Sequence, residues 1–186
     1  MVMSMFGVGG KSGVASLVGG HAVSEEERQL LSVLSVGGDG SVAGDGALYM
    51  GDARLNSLAA LTWNSNVCGL LFEHLERGLD ASRSAPHVLR NSLLVLQTVV
   101  LYGSALAVDK AIDFCRFAYQ LQEYNSATAK VKGVFGFSSR GGVDQGGPVR
   151  LIARQLYSIL QSDDTIREAR RTARASGGNS DIPGGG

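Results

Sequence analysis

The chain has 186 residues, enough for one domain with a sizeable hydrophobic core. Seventeen basic and seventeen acidic side chains balance, so no global field draws it to nucleic acid or a membrane, and anion recognition must be local. Thirteen of the basic residues are arginine, the side chain suited to planar, bidentate contacts.

Residues 1–23 are glycine-rich and read as a flexible leader. Val2, Met5, Phe6, Val14, Leu17 and Val18 fall near helical spacing, so a lipid-facing stripe can be drawn. Gly7, Gly9, Gly10 and Gly13 oppose it, each costing about 1 kcal/mol relative to alanine in a helix. A disordered or locally docked leader fits better. Ser24 opens a capping box with Glu27, and Glu25 to Glu27 suit the positive end of a helix reaching about Leu34. A turn-rich connection over 36–46 precedes a second helix from Ala47 to Leu61, with Leu48, Leu55, Leu58 and Leu61 inward.

A third helix is expected from about Val67 to Leu79, placing Leu70, Leu71 and Leu75 inside. The fourth is the most informative. Pro86 suits a first helical turn, and from Val88 to Tyr102 apolar residues cover most of the circumference, so this helix should be central. Gly103 is placed to end it with positive φ. A fifth helix runs from about Leu106 to Glu123, with Val108, Ile112, Cys115, Phe117 and Leu121 among its apolar positions. A loop over 125–147 carries Lys130, Lys132 and Arg140. Pro148 opens a sixth helix holding Val149, Ile152, Leu156 and Ile159, and Ser162 caps a last one toward Arg174. Residues 175–186 read as a flexible tail, and no strand pattern or internal repeat occurs. The class is all-α.

Cys68 and Cys115 lie in apolar helical patterns and read as reduced core cysteines of a cytosolic protein. No apolar run approaches the ~18 residues of a membrane span, the N-terminus is a poor signal peptide, and Val2 excludes N-myristoylation. Gly9–Ser12 reads GGKS, but Met5 stands where a phosphate-binding loop needs its first glycine. His21, His74 and His87 form no metal or catalytic constellation, and His74 reads as a boundary or surface residue. No cofactor and no enzymatic activity are expected. Arg77, Arg83, His87 and Arg90 gather around the entrance of the fourth helix, where free amides also attract phosphate. They are either a solvated rim, with Arg77 paired to Glu73 or Asp80, or a phosphoinositide contact. Arg150, Arg154, Arg167, Arg170, Arg171 and Arg174 on the last two helices read as a solvated face laced by Asp163, Asp164 and Glu168, with a protein-docking or lipid surface as the alternative.

Three stretches carry a family resemblance. HVLRNSLLVLQTVVLYGS, from His87 to Ser104, resembles the central helix of epsin N-terminal homology (ENTH) domains, which a His-Val pair opens and Gly-Ser closes. The segment from Gly142 to Ala173 is similar to their carboxy-terminal signature: Gly-x-Asp-x-Gly, then Val-Arg, a helix, an acidic turn and an Arg-Glu-rich helix. LAALTWN at Leu58–Asn64 is similar to the family's second-helix ending. The match covers residues 24–174 in consistent order, although the interval from His87 to Gly103 is one residue longer than usual and the leader lacks the family's charged character.

The resemblance implies a right-handed superhelical, solenoid-like bundle of about seven to eight helices. It also implies a non-enzymatic, monomeric adaptor module of clathrin-associated trafficking. Such a module would bind phosphoinositide membranes at the plasma membrane, endosomes or trans-Golgi vesicles. It would meet clathrin coat or adaptor proteins through regions outside this chain, with no role for nucleic acid. Of the family's headgroup positions, Arg77, Arg83 and His87 match one half, and Arg90 lies close by. The other half is met only by Lys11 in the leader and Arg28 on the first helix, with Val33 where the family has asparagine. The alternative is a tepsin- or VHS-like protein-interaction module without lipid binding.

Overall fold

The structure, a computed structural model, describes residues 24–34, 48–128 and 143–176. Among these residues there are eight helices and no strand, as the all-α reading expects. The expectations for the leader, the 36–46 connection and the tail from 177 onward lie outside the described residues, as do those for His21, Lys130, Lys132 and Arg140. Helix α1 (Glu25–Leu34) starts directly after Ser24. Its own amide and the Ser24 hydroxyl hold the Glu26 carboxyl below the usual carboxylate range.

Helix α2 (Ala53–Leu61) begins later than the expected Ala47. Gly51 turns the chain at φ 90°, a conformation open to glycine, and Asp52 then caps the helix by accepting from the Arg54 amide at 2.8 Å. The Arg54 guanidinium grips the same carboxylate at 3.0 Å and 2.7 Å and holds Asp52 below the usual carboxylate range. Leu48 is fully buried ahead of the helix. Helix α3 (Ser65–Gly78) starts two residues before the expected Val67, because Asn64 Oδ1 accepts from the amides of Asn66 and Val67. His74, expected at the boundary or surface, is buried at 9% exposure. Helix α3 packs against α1 and against helices later in the chain, so its inner face is broader than the Leu71 and Leu75 stripe.

Helix α4 (Pro86–Tyr102) is the centre of the molecule, with every residue from Asn91 to Leu101 buried. Gly103 does end it, but not with positive φ. Its backbone is extended, at φ −74° and ψ 179°. Glycine is required there by crowding: a Cβ would lie 2.5 Å from the Val99 carbonyl oxygen and 3.0 Å from Thr62 Oγ1. Ser104 then locks the corner. Its amide donates to Thr62 Oγ1 and its hydroxyl to the Thr62 carbonyl, both at 2.9 Å.

The single fifth helix expected from Leu106 to Glu123 is two helices, α5 (Ala105–Ile112) and α6 (Cys115–Leu121). Between them the Phe114 amide donates to Ala111 O at 3.0 Å, and the ring turns inward, edge-on to Phe72 at 5.2 Å. Small buried residues, Ala107, Ala111 and Ala118, carry the inner face, whereas Ile112 is exposed. Helix α7 (Gly147–Ile159) opens at Pro148 and buries Val149, Ile152 and Leu156. Ser162 Oγ accepts from the Thr165 amide to start α8 (Asp163–Ser176). Helix α4 packs against α1, α2, α3, α5, α7 and α8. Cys68 is buried and Cys115 half-buried, both as free thiols that burial pushes above their ordinary pKa.

Candidate functional site

The link between α3 and α4 is a tight turn organised by Asp80. Its carbonyl accepts from the amides of Arg83 and Ser84, and its carboxylate accepts from the amide and hydroxyl of Ser82. The Ser82 hydroxyl and amide hold the Asp80 carboxyl below its usual range, with the Arg83 charge adding to them. Ser84 Oγ also donates to the Arg77 carbonyl at 3.2 Å, tying the end of α3 to the start of α4. The turn therefore brings Arg77, Arg83 and His87 to one corner of the fold.

Two of these side chains, both arginines, reach into solvent. The Arg77 side chain is 67% exposed, with Nη2 3.9 Å from Glu73, and Arg83 is 80% exposed, with Nε 3.2 Å from Asp80. Exposed pairs of this kind contribute at most about 1 kcal/mol, so a more highly charged anion can displace the partner. His87 is half-buried in the first turn of α4. Among the described residues no side chain caps that helix and Pro86 has no N–H, so the amides of His87 and Val88 have no side-chain acceptor there.

The remaining sequence candidates are placed differently. Arg90 turns inward and donates from Nη2 to the Leu48 carbonyl at 2.5 Å and from Nη1 to Asn91 Oδ1 at 3.4 Å. Its guanidinium braces the segment ahead of α2. Arg28 sits on α1 in an ion pair with Glu25 at 2.7 Å. Lys11 lies outside the described residues.

Two other basic side chains have structural work that the sequence reading did not assign. Arg150 Nη1 donates to the Tyr124 carbonyl and to Asp144 Oδ2, each at 2.7 Å. Asp144 Oδ1 accepts from the Gly146 amide and from the amide and hydroxyl of Ser126. The Arg150 guanidinium and these donors hold Asp144 well below the usual carboxylate range. Asp144, Gly146 and Arg150 of that signature thus form a clamp between the end of α6 and the start of α7. Arg170 donates to the carbonyls of Val100 and Gly103 at 2.7 Å and 2.8 Å, closing the C-terminal end of α4. Its position four residues after the buried Ile166 was the available signal.

Among the described residues no helix is long and apolar enough to cross a membrane, and no group of three or more His, Cys, Asp and Glu side chains could hold a metal.

No protein-family model matches the sequence, and no curated protein sequence matches it. Solved structures do. The yeast Ent2 ENTH domain is 20% identical, at a TM-score of 0.61 over 81% of this chain and 99% of its own. The human epsinR ENTH domain is 22% identical, at a TM-score of 0.57 over 82% and 98%. The ENTH domain from epsin-2, solved in complex with phosphatidylinositol 4,5-bisphosphate, is 19% identical, at 0.57 over 84% and 94%. With the match spanning more than four-fifths of this chain and nearly all of each domain, the chain has the fold of the epsin N-terminal homology domain.

Proposed function

We propose that this chain is a non-enzymatic, membrane-recognising adaptor module of vesicle trafficking whose α3–α4 corner contacts phosphoinositide headgroups. The observation that carries the reading is the corner itself. Arg77 and Arg83 are exposed and only weakly paired, and they stand beside His87 and the uncapped amides of α4. An epsin-2 ENTH domain of the same fold binds phosphatidylinositol 4,5-bisphosphate. Arg77, Arg83 and His87 are the contact residues in this reading, and Arg90 supports the scaffold. At about 1 kcal/mol per arginine near an anionic surface, Arg77 and Arg83 give about a thirtyfold attraction, a reversible association. Clathrin coat or adaptor proteins are the partners that the reading expects, met through regions outside this chain.

The second reading, a protein-interaction module without lipid binding, is favoured by the ion pairs that already hold Arg77 and Arg83. Flotation of the full chain with phosphatidylcholine vesicles, with and without phosphatidylinositol 4,5-bisphosphate, separates the two. Headgroup-dependent, salt-sensitive flotation abolished by Arg83→Glu supports lipid recognition. Absence of flotation at low salt sinks it.

A further inference from the structure

We infer a second binding surface at the opposite end of α4, which takes an acidic peptide segment of a partner protein through an arginine face and an exposed tryptophan. Three features converge there. Arg167, Arg170, Arg171 and Arg174 line one open recess on α8. Arg170 fixes its location, since its guanidinium is bonded to the carbonyls of Val100 and Gly103. One residue further on, Ser104 is bonded twice to Thr62, which places Trp63 at the same corner. Trp63 is 73% exposed, and Leu106, in the first turn of α5, is 42% exposed.

An exposed tryptophan at the corner that Arg170 reaches, together with an arginine face, has the composition of an interface hot spot. The recess asks for an anion. Arg167 and Arg171 are held only by exposed pairs with Asp164 and Glu168, and Arg174 has no ion pair among the described residues. Arg174 also acts on Arg170, whose pKa is lowered first by burial and then by that neighbouring charge. A carboxylate in the recess would relieve this like-charge repulsion. Trp63 and Leu106, exposed on either side of the Thr62–Ser104 bonds, offer apolar contact at the same corner, so the matching partner is an acidic segment with an apolar side chain.

The choice of a protein over a membrane rests on the lipid reading of the α3–α4 corner. The two surfaces lie at opposite ends of a 17-residue helix, about 25 Å apart, so the second can hold a partner of its own while the first holds a headgroup.

Trp63 is the only tryptophan in the chain, so its emission reports on this corner directly. Emission of the full chain is titrated with an unlabelled peptide of about twelve residues made of glutamates and two leucines, and with its glutamine counterpart. A blue shift with the glutamate peptide alone is expected, weakened about tenfold or more by Arg174→Glu and unaffected by Arg83→Glu. No shift up to about 1 mM peptide, or an equal shift with the glutamine peptide, overturns the inference. So does a blue shift of the Arg83→Glu variant with phosphatidylserine vesicles, which would make this corner the membrane face. Failure of the lipid reading shows separately, as loss of flotation in the unmodified chain with the peptide response intact.

Discussion

Arg170, in the middle of the last helix, donates a hydrogen bond to the carbonyl of Gly103 at 2.8 Å and so seals the end of a central helix whose cap residue lies 67 residues earlier. A second bond to the Val100 carbonyl at 2.7 Å makes the contact bidentate. The cation meets the negative end of the α4 dipole and satisfies carbonyls with no partner inside the helix. Residues at the far end of the chain are thereby tied to the core.

Replacing Arg170 with alanine leaves both carbonyls unpaired in a half-buried corner, at a cost of about 2–4 kcal/mol. The urea midpoint should fall by roughly 1–2 M at unchanged slope. Arg170→Lys should recover part of the loss, since a lysine ammonium has no planar fork for two acceptors. Equal stability of the alanine variant and the unmodified protein would remove the cap from the account.

The crowding at Gly103 predicts a steric effect. Gly103→Ala drives a methyl group against the Val99 carbonyl and Thr62 Oγ1, although its φ of −74° is open to alanine. A loss of about 1–3 kcal/mol is expected, and thermal melting measures it. Ser104→Ala, which unmakes the bond to the Thr62 carbonyl, should cost about 1–3 kcal/mol.

Arg90 separates scaffold from surface. Arg90→Gln removes the bond to the Leu48 carbonyl and should lower stability by about 1–3 kcal/mol while leaving vesicle flotation intact. Arg83→Glu should do the reverse. If Arg90→Gln abolished flotation without loss of stability, Arg90 would belong with the headgroup contacts.

Asp144 makes acid sensitivity local. Folding depresses its pKa, so the folded state binds fewer protons than the unfolded chain. The stabilisation is complete above the unfolded carboxylate's ~3.9 and is lost as pH falls toward the lower folded value. Asp52 and Asp80 are shifted the same way and add to the trend. Melting temperature should therefore drop as pH is lowered from about 5 to about 2. Asp144→Asn should melt lower at neutral pH and show a shallower acid dependence, and an unchanged dependence would count against the clamp.

The helices and the central place of α4 were legible because apolar periodicity, Pro86, Ser162 and Pro148 are local signals that act within a turn or two of their own position. The basic corner was legible for the same reason, since Arg77, Arg83 and His87 are close in sequence. Boundaries set by single side chains were missed. Asp52 delays α2, Asn64 advances α3, and the inward turn of Phe114 splits α5 from α6.

By itself the sequence determined an all-α chain built on one buried helix with a basic entrance, since burial pattern and helix capping depend on neighbours in the chain. Only the tertiary structure decided what each arginine does. Arg90, Arg150 and Arg170 turn to carbonyls of segments 42, 26 and up to 70 residues away, whereas Arg77 and Arg83 stay in solvent. An arginine's five donors bind whatever acceptors the fold brings within reach, and contacts between distant segments are absent from local periodicity. The role of Gly103 was likewise decided in three dimensions, by the crowding of the Val99 carbonyl and Thr62 Oγ1 around it and not by a positive φ.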